Sequence, residues 1–411
     1  MTFIYDLAIQ LYVFAIRLSA ISGNQKAKLW IEGRKNWRKK MKEALNKNEK
    51  RVWFHCSSLG EFEQGRPVME KLRSRNPELK IVLTFFSPSG YEIRKNYPGA
   101  DYVFYMPADT RSNAKDFISL INPEKVFFTK YEYWFHYFNQ LKKRMIPLYV
   151  ISAIFRPNDR FFKWYGGFFR SMLKCVTYFF VQDSRSAQLL KETGFTNAAV
   201  AGDTRFDRVV ELAKESKEIP LARQFSEGQK VLVAGSTWSE DEKILSDALR
   251  SLKTKIKLII APHEISDSRI TEIKNIFSGF RIQQFSMAEA SGLSSYDILI
   301  IDNIGMLSSL YRYGSVAYVG GGFGKGIHNT LEAAVYSIPV FFGPNYSKFI
   351  EAKELIKCGG AFSIAASEEL SSQLDKVLQD SNENRRLGKA AADYVLSNSG
   401  ATNKIMEMVF Q

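Results

Sequence analysis

One segment organises the whole chain: Val319-Gly320-Gly321-Gly322-Phe323-Gly324-Lys325-Gly326-Ile327-His328-Asn329-Thr330-Leu331-Glu332-Ala333-Ala334. A β-like run, 315–319, leads into five glycines within seven positions, and glycine lacks the Cβ that keeps a ligand away from the backbone. A helix is predicted from His328 through Tyr336, whose N-terminal N–H groups and dipole would favour an anion. Glu332 follows Asn329 by three residues, so both can face one ligand, and a carboxylate suits two ribose hydroxyls. The segment predicts a nucleotide site; the alternative is a glycine-rich turn with a helix-capping box.

Composition bounds the remaining possibilities. The 411 residues are enough for two or three domains, and 45% are hydrophobic. The formal charge of +14 predicts an acidic partner, which could be nucleic acid, an anionic bilayer or a phosphorylated substrate. Cys56, Cys175 and Cys358 are widely spaced without a CxxC pair, which predicts reduced thiols and a cytosolic compartment. We expect no zinc site and no other metal or cofactor.

The N-terminal stretch predicts attachment to a membrane. Met1–Ala20 is mostly apolar, and Asp6, Gln10 and Arg17 fall on one side of a helix at 100° per residue. The stretch is marginal for a membrane span, so an interfacial amphipathic anchor fits better. Eleven Lys or Arg residues but only three Glu follow over 26–51, a pattern typical of attraction to anionic lipid. The alternative is an ordinary packed helix followed by a solvated charged one.

Short β-like runs alternate with helical ones through the rest of the chain, which predicts an α/β fold with parallel sheets and crossover helices. A first set of seven runs comprises 52–55, 81–86, 102–105, 125–128, 148–151, 178–181 and 198–201. A second set comprises 231–234, 256–260, 281–285, 298–301, 316–319, 339–342 and 361–364. Two such sets imply two Rossmann-like lobes facing a cleft, with ligands at the carboxyl ends of the strands. The predicted domains are a membrane-associated segment over 1–40, a first Rossmann-like lobe over 41–210 and a second over 211–411.

Two loops of the first lobe contain candidate catalytic residues. In Cys56-Ser57-Ser58-Leu59-Gly60-Glu61, Gly60 is predicted to make the turn, and Glu61 lies at the start of a helix that runs through about Arg73. A helix N-terminus stabilises the ionised carboxylate that a general base needs, although an ordinary helix-start Glu would look the same. In Thr129-Lys130-Tyr131-Glu132-Tyr133-Trp134, a cation, a carboxylate and three aromatic rings suit a sugar, or pack on the next helix.

Loops of the second lobe add candidate ligand contacts. Gly235-Ser236-Thr237-Trp238, Pro262-His263-Glu264 and Ile304-Gly305-Met306 follow predicted strands, as the glycine-rich segment does, so one ligand could touch all four. His263 could bind a phosphate or a carboxylate, or could be a structural histidine.

The ordered set of motifs resembles one family. The chain contains FHCSSLGEFEQGRPV, KYEYW, GDTRFD, AGSTW, DNIGMLSSLY and VGGGFGKGIHNTLEAA in this order, together with LWIEGRK at Leu29–Lys35. Each motif is weak alone, but the set is similar to the 3-deoxy-D-manno-octulosonic acid (Kdo) transferases of lipopolysaccharide synthesis over nearly the whole chain. The resemblance implies a GT-B glycosyltransferase that moves Kdo from CMP-Kdo to a phosphorylated lipid A precursor (lipid IVA). It also implies inversion at the anomeric carbon, no bound metal, and a location at the cytoplasmic face of the inner membrane.

The resemblance also implies roles for individual residues. Glu61 would be the general base, and Arg205 stands where the family usually has a Lys that assists the transition state. Many members have Glu at the position of Lys130, so only Glu132 of that acidic pair remains, and many place Arg before the histidine at His263. With the loops described above, the donor (CMP) side comprises Ser236, Thr237, Pro262, His263, Ile304, Gly305, Met306, Gly322, Asn329, Thr330, Leu331 and Glu332. The catalytic set is Glu61, Lys130, Glu132 and Arg205, and Ser58 and Gly60 lie on the acceptor side.

Two other interpretations keep the fold or the nucleotide site but change the activity. A GT-B transferase could use a UDP-sugar in place of CMP-Kdo, and a membrane-bound nucleotide-binding scaffold would bind without catalysis. Nucleic acid is not expected as a partner, because the positive charge is concentrated beside the apolar helix and no recognition motif is present.

Overall fold

The computed structural model describes residues 1–289 and 291–410 and divides into two compact lobes. The first lobe comprises Met1–Arg208 and Ser399–Gln411, and the second comprises Val209–Asn398. The sequence prediction assigned the whole chain after 210 to the second lobe, and this is wrong for the C-terminus. The last helix, Ala401–Val409, buries Ile405 and Met406 in a core of the first lobe. Burial of this apolar face, rather than position in the sequence, assigns the segment.

The first lobe is built on a seven-stranded parallel sheet. Its strands are β1 Arg51–Cys56, β2 Lys80–Phe85, β3 Tyr102–Tyr105, β4 Lys125–Thr129, β5 Leu148–Ala153, β6 Tyr178–Val181 and β7 Ala198–Val200. Their order is β3-β2-β1-β4-β5-β6-β7. The strand order reverses between β1 and β4, so the loops after these two strands flank the crevice where such sheets bind ligands.

The second lobe repeats the pattern. Its strands are β8 Val231–Thr237, β9 Lys257–Pro262, β10 Ile282–Gln284, β11 Ile298–Ile300, β12 Val316–Val319, β13 Val340–Phe342 and β14 Ala361–Ser363. The order β10-β11-β9-β8-β12-β13-β14 reverses between β8 and β12, and Val319 pairs with Gly235. The loop after β8 and the glycine-rich segment after β12 therefore flank the switch point of this sheet. All fourteen predicted strands are confirmed, as is the prediction of two Rossmann-like lobes.

Helices cover both faces of each sheet. Those of the first lobe are α1 Thr2–Ile21, α2 Gln25–Gly33, α3 Trp37–Ala44, α4 Leu59–Arg75, α5 Pro88–Arg94, α6 Arg111–Ile121, α7 Phe135–Lys143, α8 Gly167–Leu173 and α9 Ser184–Glu192; α10 Thr204–Glu215 contains the lobe boundary. Those that follow are α11 Pro220–Ser226, α12 Ser239–Ser251, α13 Asp267–Ile276, α14 Leu307–Leu310, α15 Leu331–Ala334, α16 Ile350–Lys357, α17 Ser367–Gln379 and α18 Ser381–Ser397, and α19 Ala401–Val409 belongs to the first lobe.

Helix α1 is attached to the first lobe along one side. The Tyr5 hydroxyl donates to the buried Asp109 carboxylate at 2.5 Å, and Asp6 contacts the ring of His136. Tyr12 lies against Phe86 at a ring separation of 6.1 Å. The predicted polar stripe therefore does not simply face water, because its first member, Asp6, contacts the protein.

The opposite side of α1 is apolar and exposed. The exposed side chains include Ile4, Leu7, Leu11, Phe14 and Leu18, which recur at three- and four-residue intervals and so form one continuous stripe. By length and composition α1 could cross a membrane.

Two of the eleven cations after α1 belong to the interior rather than the surface. Arg51 is buried and donates to the carbonyl of Ile121 at 2.9 Å. Arg34 donates to the carbonyls of Phe86 and Met106, and burial lowers its pKa to about 9. The other nine cations over 26–51 are exposed, so the surface remains strongly basic.

Candidate active site

Glu61 lies in the first turn of α4, at the carboxyl end of β1. Its carboxylate accepts a hydrogen bond from the Ser58 backbone N–H at 3.0 Å, as in a capping box, and another from the Ser58 hydroxyl. The helix start at Leu59 makes Gly60 part of the helix, so the prediction that Gly60 makes the turn is wrong. A Cβ on Gly60 would meet nothing closer than the Ser58 hydroxyl, at 3.8 Å. The opening of α4 therefore presents one half-buried carboxylate with little side-chain bulk beside it.

The loop after β4 places Glu132 next to the same switch point. Lys130 adopts a left-handed backbone conformation with φ +66°, which a non-glycine residue holds at a cost of about 1–3 kcal/mol. The Glu132 carboxylate accepts from the indole N–H of Trp134 at 2.9 Å. The buried ring of His55, on β1, lies 3.7 Å from the same carboxylate oxygen. Such backbone strain next to a constrained carboxylate is typical of a functional loop.

Arg205 is held by a buried acid at the start of α10. Its guanidinium donates to Asp203 at 2.8 and 3.0 Å, and the Gln64 amide donates to the same carboxylate oxygen at 3.0 Å. Burial alone would raise the pKa of Asp203, but the charge and hydrogen bonds of Arg205 outweigh it and hold this pKa below the ordinary value. Asp203 therefore remains ionised and fixes Arg205, whose side chain stays partly exposed.

The glycines after β12 serve backbone packing more than ligand approach. A Cβ on Gly320 would lie 2.4 Å from the Ser236 carbonyl, and one on Gly322 would lie 2.5 Å from the Gly343 nitrogen. Gly321 has φ +90°, a backbone conformation that glycine adopts without the steric cost that a Cβ would add. A Cβ on Gly324 would make only an ordinary van der Waals contact, with the Gly321 carbonyl at 3.7 Å. The prediction that the glycines clear room for a ligand is thus wrong for Gly320 and Gly322, which let neighbouring loops touch.

A buried carboxylate that the sequence analysis missed organises this segment. Asp241 accepts hydrogen bonds from the backbone N–H of Gly321 at 2.8 Å, from the Tyr318 hydroxyl at 2.8 Å and from the Trp238 backbone N–H at 3.0 Å. Burial raises the pKa of Asp241, and these three donors oppose the rise. Asp241 therefore joins the loop after β8 to the loop after β12. An acid three residues beyond Trp238, where a capping-box acid belongs, was the available signal.

Three aromatic rings stack beside the glycine-rich segment. His263 lies between Trp238 at 4.6 Å and His328 at 4.5 Å, and the Trp238 indole donates to Nε2 of His328 at 3.2 Å. Burial and the neighbouring His263 lower the pKa of His328, which favours the neutral ring. His263 is exposed. The predicted donor residue His263 is therefore held in a fixed orientation by two residues outside the predicted set.

The predicted helix after the glycines is much shorter in the structure. It comprises Leu331–Ala334 only, so the argument from a long helix dipole fails. Asn329 and Glu332 do face each other, since the Asn329 amide donates to the Glu332 carboxylate at 2.9 Å. Thr330 and Leu331 are fully buried, backbone included, so neither of these two predicted donor residues is exposed.

The other predicted donor residues differ in what they expose. The Thr237 hydroxyl is buried and donates to Glu242 at 2.8 Å, so it is occupied within the lobe. Ser236 has φ +53° at the end of β8, and Pro262 ends β9. Gly305 has φ +89° and precedes Met306, the residue that caps α14, while Ile304 is 92% exposed. In the described parts of the chain, no group of three or more His, Cys, Asp or Glu residues is placed to hold a metal ion.

Comparison with known proteins relates the chain to one family of enzymes. Residues 35–208 match the family described as 3-deoxy-D-manno-octulosonic-acid transferase (kdotransferase). The 3-deoxy-D-manno-octulosonic acid transferase of Aquifex aeolicus is 27% identical over 345 residues, covering 82% of this chain and 88% of that protein. The enzyme of the same name from Rickettsia bellii is 28% identical over 343 residues, covering 82% and 81%.

Among solved structures, the fold is similar to a UDP-GlcNAc 2-epimerase from Neisseria meningitidis bound to UDP-GlcNAc. The TM-score is 0.61 at 15% identity, covering 87% of this chain and 99% of that one. At this identity the similarity shows the fold alone. Together with the two Rossmann-like sheets, it places the chain in the GT-B class.

Proposed function

We propose that this chain, whose residues 35–208 match the Kdo transferase family, is a member of that family and transfers Kdo from CMP-Kdo to lipid IVA, a phosphorylated lipid A precursor, with inversion and without a metal. The observation that carries the proposal is topological. Each sheet places a predicted site loop at its switch point, with Glu61 after β1 in the first lobe and the glycine-rich segment after β12 in the second. Ligands of open α/β sheets bind at such points.

On the donor side, the Asn329–Glu332 pair and the stacked His263 would hold CMP. The Glu332 carboxylate can accept from two ribose hydroxyls while Asn329 orients it. His263 faces solvent and can donate to the phosphate. Backbone N–H groups of the loops would complete the phosphate contacts, in place of a metal.

On the acceptor side, Glu61 would act as general base. A sugar hydroxyl gives its proton to the Glu61 carboxylate as its oxygen bonds to the anomeric carbon of Kdo. The bond from that carbon to the CMP phosphate breaks on the opposite face, so CMP leaves with the electron pair and the configuration inverts. Arg205 would supply a fixed positive charge that stabilises the negative charge developing in the transition state.

The reaction is tested with full-length protein, CMP-Kdo and a tetra-acylated lipid A precursor, with products identified by mass spectrometry. The expected product is heavier by one or more Kdo residues, and addition of EDTA should not change its amount. CMP should bind more tightly than UMP in calorimetry. Binding of CMP without any turnover would support the scaffold instead, and preference for UMP would support a UDP-sugar enzyme.

Helix α1 would hold the protein on the anionic cytoplasmic face of the inner membrane. Its contacts through Tyr5 and Asp6 keep it on the lobe, which favours a helix lying in the interface over one that spans. Its exposed apolar stripe would enter the lipid, and the nine exposed cations over 26–51 would add attraction of about 1 kcal/mol each near the surface.

The membrane role is tested separately by flotation with anionic liposomes. Replacing Leu7, Leu11 and Phe14 by Ser should abolish flotation at high salt without lowering the melting temperature, because these side chains are exposed. The matched control is Ser replacement of Val13 and Ile16, which pack on the first lobe and should lower the melting temperature instead. Undiminished flotation of the first variant would contradict the anchor.

A further inference from the structure

The imidazole of His55 is a buried polar group to which the proposed mechanism gives no role. It lies on β1, fully buried, with Nδ1 2.9 Å from the hydroxyl of Thr84 on the neighbouring strand. Nε2 has no hydrogen-bond partner among the described residues. The nearest ionic group to Nε2 is the Glu132 carboxylate, at 3.7 Å. This separation exceeds the usual N–H···O limit of about 3.2 Å, so a small movement would complete the bond.

The hydrogen bonds around Thr84 allow two arrangements, which differ in the nitrogen of His55 that carries the proton. The indole N–H of Trp53 can only donate, and it donates to the Thr84 oxygen at 2.8 Å. The single Thr84 proton can go to the Phe54 carbonyl at 3.3 Å or to Nδ1 of His55 at 2.9 Å. In the first arrangement Nδ1–H donates to the Thr84 oxygen; in the second Nδ1 accepts the Thr84 proton, which leaves the imidazole proton on Nε2.

Electrostatics favour the second arrangement, with the proton on Nε2. With the proton on Nδ1, the lone pair of Nε2 would face a carboxylate in a buried environment, which is unfavourable. With the proton on Nε2, an N–H points at the Glu132 oxygen that already accepts from Trp134. Two ring N–H groups, from His55 and Trp134, would then fix one oxygen of this carboxylate.

We propose that His55 is a positioning residue for Glu132: its Nε2–H holds the carboxylate so that the second oxygen meets the acceptor sugar. The inference rests on the proposed function for its link to catalysis, but the contact itself does not. Acceptor binding would close the remaining gap between Nε2 and the carboxylate, since catalytic hydrogen bonds tighten in the substrate complex.

Histidine-selective 15N labelling tests the contact directly on the full-length protein. The chain has only four histidines, so long-range 1H–15N spectra should show four ring patterns, and His55→Gln identifies the one that belongs to His55. The expected pattern is neutral with the proton on Nε2. Glu132→Gln should shift this pattern, while His136→Gln, the control in the same lobe, should leave it unchanged. A proton on Nδ1, or a pattern indifferent to Glu132→Gln, would overturn the proposal.

A double-mutant cycle tests the consequence for catalysis. His55→Gln should lower kcat by at least about tenfold, as for one lost hydrogen bond to a charged group, with the KM for CMP-Kdo unchanged. His55→Gln combined with Glu132→Gln should be no slower than Glu132→Gln alone, because the first residue acts through the second. Multiplied losses in the double variant would refute the positioning role. If no Kdo transfer is found at all, the proposed function fails, while the spectra still decide whether His55 holds Glu132.

Discussion

Glu61→Gln is the substitution that tests the mechanism most directly. Glutamine keeps the shape of the side chain and removes its basicity, so turnover should fall by roughly 10²–10⁴-fold, the range for loss of a general base. The structure adds a second effect, because Glu61 also caps α4 through Ser58. A glutamine carbonyl can still accept from the Ser58 N–H, but the charge at the helix N-terminus is lost.

The cost to stability is small by comparison. Exchanging a charged acceptor for a neutral one and losing the dipole interaction together cost about 1–2 kcal/mol. A lobe of this size loses about 2–4 °C in melting temperature per kcal/mol. The variant should therefore remain folded at assay temperature, and a loss of turnover beyond tenfold could not come from unfolding.

Glu63→Gln provides the matched control on the same helix. Glu63 pairs with Arg94 at 3.1 Å and with Arg66 at 3.8 Å, and its side chain is 35% exposed. Loss of such exposed pairs costs about 0–1 kcal/mol, so turnover should stay near the native value. Turnover of both variants is measured with CMP-Kdo and lipid acceptor, CMP affinity by calorimetry, and folding by thermal melts.

Two results would refute the reasoning. Turnover of Glu61→Gln within a few-fold of native would remove this residue from the mechanism, and Glu132 would become the next candidate. An equal loss in Glu63→Gln would assign the effect to the helix rather than to the carboxylate. CMP affinity should remain native in both variants, because the donor residues belong to the second lobe.

Three further outcomes are expected. Glu332→Ala should raise the Kd for CMP by about ten- to a hundredfold, because charge-assisted hydrogen bonds worth about 1.5–3 kcal/mol are lost. An unchanged Kd in calorimetry would contradict the donor site. Gly320→Ala should lower the melting temperature of the second lobe, because a Cβ at this position would lie 2.4 Å from backbone. Gly324→Ala should leave the melting temperature unchanged, because its Cβ would meet nothing nearer than 3.7 Å. Equal melting curves for the two variants would contradict this. The native pKa of Asp203 is lowered, so the ionised carboxylate contributes fully to folding stability above its ordinary pKa of about 3.9. This contribution is lost as pH falls through the lower pKa of the native state. Arg205→Gln removes the cation that lowers this pKa, so the buried Asp203 carboxylate should make the variant less stable than the native protein at neutral pH. In urea melts at falling pH the difference between the two proteins should shrink, because protonation of Asp203 relieves the variant and removes the native contribution; a difference that does not change with pH would count against the pairing.

The sequence alone was sufficient for the strands and for their arrangement in two sheets. Parallel strands are buried on both faces, so each is a short apolar run that local pattern can identify. The position of Glu61 at a helix start was also predictable, because a helix N-terminus depends on residues a few positions apart. The ordered motifs pointed to the same family whose model matches residues 35–208.

Local pattern failed where a backbone conformation depends on its neighbours. The segment from His328 to Tyr336 has the composition of a helix, yet only Leu331–Ala334 is helical, because the residues before it bond back to the loop: the His328 N–H donates to the Gly320 carbonyl. Two glycines of the same segment are required by other loops, at Ser236 and Gly343, that lie far away in the sequence.

Only the tertiary structure could decide which polar groups are internal. Arg34 and Arg51 have the same chemistry as the exposed cations around them, but backbone carbonyls more than fifty residues away hold them. Asp241 and the His55–Glu132 contact likewise join segments separated by some eighty residues. A buried charge or ring nitrogen is stable only if a partner satisfies it. The sheet order supplies that partner by bringing distant loops to one edge, and no local feature of the sequence records it.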